Sequence, residues 1–167
     1  MTVQEHKGRI KGLKLAYIGD GNNVAHSLLL GCTKMGMHIA VASPAGYQPD
    51  PEIVSTAQRN AAESGGSVTI TTDPAEAARE ADVLYTDVWA SMGQEAESEA
   101  RKKVFASYQI NAQLLKEAKP EAIVMHCLPA HRGEEITAEV FEGPQSVVFD
   151  EAENRLHAHK AIMALLM

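Results

Sequence analysis

Leu13-Lys14-Leu15-Ala16-Tyr17-Ile18-Gly19-Asp20-Gly21-Asn22-Asn23-Val24 is the stretch from which the rest of this chain can be read. Residues 13–18 are a short apolar run of the kind that forms a buried strand, and the glycines of 19–23 break it. A helix is then predicted from about 24 to 35. The same strand–turn–helix unit recurs along the sequence. Further strands are expected over 38–43, 67–72, 81–88, 122–128 and 146–149. Helices are expected over 52–63, 95–106, 112–119, 134–141 and 151–167. Gly65-Gly66 suits a helix stop, since glycine tolerates the left-handed conformation. Asp73-Pro74 caps and starts a short helix with proline at its first position. Alternation of this kind predicts the α/β class: a doubly wound, open parallel sheet of Rossmann-like form, with helices on both faces. The expected organisation is a polar lead-in or linker over 1–12 followed by a single domain over 13–167.

Composition narrows the setting. The 167 residues are 45% hydrophobic and 22% charged, ordinary for a globular protein. No apolar run approaches the ~20 residues that cross a bilayer, and the N-terminal residues lack the apolar stretch of a secretory signal. A formal net charge of −7 argues against nucleic acid and anionic membranes as partners. The two cysteines, Cys32 and Cys127, fall on a helix and a strand end, and are expected as reduced thiols in a cytoplasmic protein. The acids of 95–99 and the bases of 101–103 complement a helix dipole. They set up Glu97–Arg101 and Glu99–Lys103 pairs on a face read as solvated.

In open parallel sheets, ligands bind beyond the carboxyl ends of the strands. Unusual polar residues collect there. Gly19-Asp20-Gly21-Asn22-Asn23 follows the first strand, and Asp87-Val88-Trp89-Ala90-Ser91-Met92-Gly93 follows the fourth. His126-Cys127-Leu128-Pro129 follows the fifth, and Asp150-Glu151-Ala152-Glu153-Asn154-Arg155 the sixth. Gly19-Asp20-Gly21 invites a dinucleotide reading. Val24 occupies the third glycine position, however, and Ser43-Pro44 stands where an acid would bind ribose, so no nucleotide cofactor is expected. Asn23 is read as the helix cap. His157 and His159, two apart on a helix, do not make a metal pair, and no metal is expected.

Together these four motifs, standing in family order from about residue 13 to the end, resemble the second domain of ornithine carbamoyltransferases. The Ser91-Met92-Gly93 loop points to ornithine; aspartate carbamoyltransferases are expected to carry proline in place of Cys127. Putrescine carbamoyltransferase is the nearest rival. By this resemblance Asn23, Asp87, Ser91 and Met92 bind L-ornithine. Cys127 is the active-site cysteine, and Cys127, Leu128 and Arg155 reach carbamoyl phosphate. The implied reaction passes the carbamoyl group to the δ-amine of ornithine, giving citrulline and phosphate, in an enzyme that is a homotrimer when complete.

The family's first domain carries a Ser-x-Arg-Thr-type phosphate loop and a His/Gln pair, none of which occurs in these 167 residues. A phosphate dianion needs several converging donors, so the chain is expected to be a domain fragment that is inactive alone. A stand-alone amino-acid-binding or regulatory module is the alternative from another class.

Overall fold

β1 (Lys14–Ile18) is the centre of the molecule, and its sequence explains why. Leu15 and Tyr17 face one side while Ala16 and Ile18 face the other, and all four are buried. A strand buried on both faces must be covered by helices on both faces. The computed structural model describes residues 1–90 and 97–167 and has that arrangement. β2 (His38–Ala42), β3 (Ser67–Thr71), β4 (Val83–Thr86) and β5 (Ile123–His126) complete a five-stranded sheet of order β3-β2-β1-β4-β5. Every pairing is parallel; Tyr17 lies beside Val41 on one flank and Tyr85 on the other. The order reverses between β1 and β4, and the chain ends of these two strands diverge there.

α2 (Asn23–Lys34) and α3 (Pro51–Ser64) cover one face. Ala25, Leu29, Cys32 and Ala57 pack there on Leu15, Tyr17, Ile39, Val41 and Tyr85. α4 (Pro74–Ala78), α5 (Ser98–Phe105), α6 (Ala112–Leu115) and α7 (Ala138–Phe141) serve the other face. Their core is Ala77, Trp89, Phe105, Tyr108, Leu114 and Phe141 against Ala16, Ile18, Leu84 and Val124. The doubly wound arrangement read from the sequence is the one observed. Asp73 caps α4 by accepting from the Ala75 N–H at 2.9 Å.

The structure corrects four local readings. No strand forms over 146–149. Ser146 makes a single bridge to Val124, the Val147 N–H donates to the Val124 carbonyl at 3.0 Å, and α8 (Val148–Leu166) begins at once. Val148 is buried, and Asp150 and Glu151 suit a first helical turn, so a β-branched pair is used to start a helix. The helix expected over 134–141 is only α7, because residues 133–135 form a turn and Ile136 bridges to Ile110 and Arg132. α6 is likewise shorter than expected. Within the lead-in, Thr2–Lys7 forms helix α1, whose Thr2 and Glu5 accept from the buried Asn154 amide of α8. Among the described residues no helix is long and apolar enough to cross a membrane.

Candidate active site

The mouth at the β1/β4 switch point is built from three strand ends. After β1 the chain must turn within a few residues to start α2, and Gly21 makes this possible. A Cβ there would lie 2.6 Å from the Tyr47 carbonyl oxygen and closer still to Pro49 N and the Gln48 carbonyl carbon. Without one, the Gly21 N–H donates to Tyr47 O at 2.8 Å. Asn22, rather than Asn23, caps α2. Its Oδ1 accepts from the N–H groups of Val24 (2.9 Å) and Ala25 (3.2 Å). Asn23 is exposed at the first position of the helix.

With its oxygen occupied by the cap, Asn22 turns its amide NH2 across the mouth and donates to Asp87 Oδ2 at 2.9 Å. Asp87, just past β4, is 8% exposed. Its Oδ1 accepts from the Val88 N–H at 2.8 Å and from the Cys127 thiol at 3.1 Å. Among the described residues this buried carboxylate has three neutral donors and no cation. Cys127 follows β5, and burial, then the bond to Asp87 and its charge, push its thiol up to about 12. Cys127 is therefore a protonated hydrogen-bond donor at neutral pH, not a thiolate. Burial, with Asp87 and Asp20 nearby, likewise keeps the Tyr17 hydroxyl protonated.

Behind Cys127, His126 is fully buried. The Leu128 N–H donates to its Nδ1 at 2.9 Å, which assigns the ring proton to Nε2, 3.0 Å from Glu135 Oε1. Glu135 is fully buried too and also accepts from the His131 N–H at 2.6 Å. Glu151 accepts from the Tyr85 hydroxyl at 2.6 Å and from the His126 N–H at 3.1 Å, which ties α8 to the end of β5. Burial raises its carboxyl, against those two bonds. Donor atoms of Asp87, His126 and Cys127 lie within 4.8 Å of one another. Both ring nitrogens and the thiol are already committed to hydrogen bonds, so this donor set does not fit a metal.

The structure thus brings Asp87 and Cys127 together, with Leu128 alongside them. Arg155 is exposed on α8 and pairs with neither Asp150 nor Glu151, which bond to His6 and Tyr85 instead. Ser91 and Met92 lie outside the described residues. Sequence reading missed Asn22, Glu135 and above all Arg101. Arg101 is buried, and its Nη1 donates to Asp20 Oδ2 at 2.8 Å and to the Trp89 carbonyl at 2.9 Å. The Glu97–Arg101 pair is present at 3.6 Å, whereas Glu99 meets Lys102 at 3.3 Å instead of Lys103.

Fold and site together place the chain in the class of doubly wound α/β domains whose polar side chains gather at the switch point of the sheet. Comparison with known proteins resolves that class further. The aspartate/ornithine carbamoyltransferase Asp/Orn-binding domain matches residues 11–166, and the chain belongs to this family. It is 62% identical over 166 residues to the ornithine carbamoyltransferase of Thermococcus kodakarensis, covering 99% of this chain and 53% of that protein. It is 65% identical over 167 residues to that of Symbiobacterium thermophilum, covering 100% and 54%. The solved structure of the ornithine carbamoyltransferase from Pyrococcus furiosus superposes with a TM-score of 0.96 at 59% identity, covering 99% of this chain and 53% of the other. The chain spans about half the length of the curated relatives it matches.

Proposed function

We propose that this chain is the ornithine-binding half of an ornithine carbamoyltransferase, which transfers the carbamoyl group of carbamoyl phosphate to the δ-amine of L-ornithine. The observation that carries the reading is Asp87: a buried carboxylate at the mouth, held by Asn22, Val88 and Cys127 with no cation among the described residues. Buried charges are costly unless paired, and a ligand ammonium is the missing partner. Asn23, exposed beside it, and the backbone of Ser91 and Met92 serve the ligand carboxylate in this reading. The Cys127 thiol and the Leu128 carbonyl meet the carbamoyl group, the carbonyl accepting from its NH2. Arg155 approaches the phosphate.

In the reaction the δ-amine, having lost a proton, attacks the carbamoyl carbon. Negative charge builds on the carbonyl oxygen, the C–O bond to phosphate breaks, and phosphate departs as the attacking nitrogen, now bonded to the carbamoyl carbon, loses its second proton. Preorganised donors around that oxygen are the protein's main contribution to such a step. The Cys127 thiol gives its one proton to Asp87 at 3.1 Å, so it is neither a resting nucleophile nor a free donor, and it meets the ligand through its sulfur. Two unpaired thiols fit a reducing, cytoplasmic setting, and the complete enzyme is a homotrimer in the same reading.

The test is citrulline formation. The 167-residue chain alone should make none above background, and it should make citrulline when joined or mixed with a carbamoyl-phosphate-binding domain of the family, with ornithine preferred to putrescine. Robust turnover by the chain alone would refute the division of the site. Tight, submicromolar ornithine binding without any turnover in the completed protein would establish an amino-acid-binding module instead.

A further inference from the structure

Arg101 stands out in an acidic chain as a cation with 6% exposure. Its guanidinium gathers three separate strand ends from its place on α5. It donates to Asp20 after β1 (2.8 Å) and to the Trp89 carbonyl after β4 (2.9 Å). It also lies 5.0 Å from the centroid of the Tyr47 ring, in the loop after β2, and 5.8 Å from that of Phe105. Trp89 stacks on Phe105 with centroids 6.0 Å apart. Trp89 stands two residues before Ser91, and Asp20 two residues before Asn22, the residue that holds Asp87. Cationic side chains are almost never this buried unless paired, and an ion pair of this kind contributes little net stability over apolar packing. Its position, between the chain segments that leave β1 and β4 on either side of Asp87, calls for another explanation.

We propose that Arg101 is a positioning residue for the amino-acid site, tying the Trp89 carbonyl after β4 to the Asp20–Asn22 turn that holds Asp87, and neutralising Asp20. The inference rests on the functional reading above and deepens it. Two carboxylates, Asp20 and Asp87, flank the same mouth. Burial and Asp87 push the Asp20 carboxyl up, and the Arg101 bond and charge draw it back. With Asp20 taken by an internal guanidinium, Asp87 is left as the anion that an incoming ammonium meets. Both bonds leave Nη1, whose two N–H directions are fixed by the planar guanidinium, whereas a lysine ammonium is a rotating point donor on a flexible stem. It can satisfy Asp20 without holding the Trp89 carbonyl in the same place.

The experiment is a kinetic comparison of Arg101→Met and Arg101→Lys in the complete enzyme, with both substrates varied. Arg101→Met should raise the ornithine KM about 10-fold or more, while the carbamoyl phosphate KM stays within about 2-fold. Arg101→Lys should fall between Arg101→Met and wild type. A structural role alone would lower the melting temperature and leave the ratio of the two KM values unchanged. Trp89 is the one tryptophan in this chain, so its emission in the 167-residue protein reports the anchor directly and should shift to the red in Arg101→Met. If Arg101→Met does not fold, Arg101→Lys carries the test, and an unmoved KM ratio in it overturns the inference. A complete wild-type enzyme that makes no citrulline would overturn the functional reading and this inference with it. Wild-type turnover with an unchanged ornithine KM in the variants would overturn the inference alone.

Discussion

Asp87→Asn is the substitution whose consequences the hydrogen-bond network determines most completely. Both carboxylate oxygens face donors: Oδ2 faces the Asn22 amide, and Oδ1 faces the Val88 N–H and the Cys127 thiol. Asparagine offers one acceptor oxygen and an NH2. If that oxygen takes the Oδ1 position, its NH2 opposes the Asn22 NH2. Flipping Asn22 does not help, because its oxygen would then abandon the Val24 and Ala25 N–H groups at the start of α2. If the oxygen takes the Oδ2 position, Val88 and Cys127 lose their acceptor. At least one donor is stranded either way, at about 1–3 kcal/mol, or about 2–12 °C in melting temperature for a domain of this size. The ligand loses more, because a charge-assisted bond to a buried carboxylate contributes about 1.5–3 kcal/mol, equivalent to about 10- to 150-fold in ornithine affinity. The assays are thermal unfolding of the chain and steady-state kinetics of the completed enzyme, with L-norvaline as a competing ligand. Norvaline keeps the α-ammonium and α-carboxylate and lacks the δ-amine. A parallel loss of norvaline inhibition places the α-ammonium on Asp87, and a loss confined to ornithine places the δ-amine there. An Asp87→Asn enzyme with ornithine KM within about 2-fold of wild type and unchanged melting temperature would refute the reasoning.

Gly21→Ala should cost about 3 kcal/mol, because the added carbon meets backbone at residues 47–49 and not a side chain that can swing away; a urea midpoint equal to wild type would contradict this. Asp82 is buried at the start of β4, where burial alone would raise its carboxyl but Lys119 (2.7 Å), the Lys14 N–H (2.8 Å) and nearby positive charge outweigh it, so the carboxyl sits below its ordinary value. Its stabilising contribution is therefore complete above about pH 4 and is lost as pH falls through the lower folded value. Asp82→Asn should cost about 1.5–3 kcal/mol at pH 7 and flatten that part of the acid-unfolding curve, and an unaltered curve would count against the ion pair. At the far end of α8, Leu165 and Leu166 are 84% and 82% exposed, with Ile162 and Met163 about half so. The 167-residue chain should self-associate with rising concentration in sedimentation, and Leu165→Glu with Leu166→Glu should abolish it, whereas a wild-type chain monomeric throughout would remove this segment as the contact.

Composition and order sufficed for several levels of the structure. The alternation of β-rich and helical segments, punctuated by Gly19, Gly65-Gly66 and Asp73-Pro74, specified a parallel sheet with helices on both faces. These are local signals, carried by backbone preference and capping over a few residues. The placement of Asp87 and Cys127 at strand ends also came from the linear sequence, since a parallel α/β sheet brings successive carboxyl ends to one edge. Where two local readings were equally good, tertiary contacts chose between them. Asn22 and Asn23 can each cap a helix, and Asn22 does so because its amide then meets Asp87, 65 residues away.

Residues 146–149 are rich in β-branched and aromatic side chains and read as a strand. In the fold only Ser146 bridges β5, since Val148 must turn inward for α8 to reach the core. Arg101 satisfied the pattern of a solvated helical pair with Glu97, and its partners Asp20 and Tyr47 lie more than 50 residues away. The sequence by itself therefore determined the class of fold and the edge of the sheet at which Asp87 and Cys127 come together. Only the tertiary structure decided which neighbours hold them, because hydrogen-bond partners and burial depend on which distant segments meet, and no periodicity within a segment encodes that meeting.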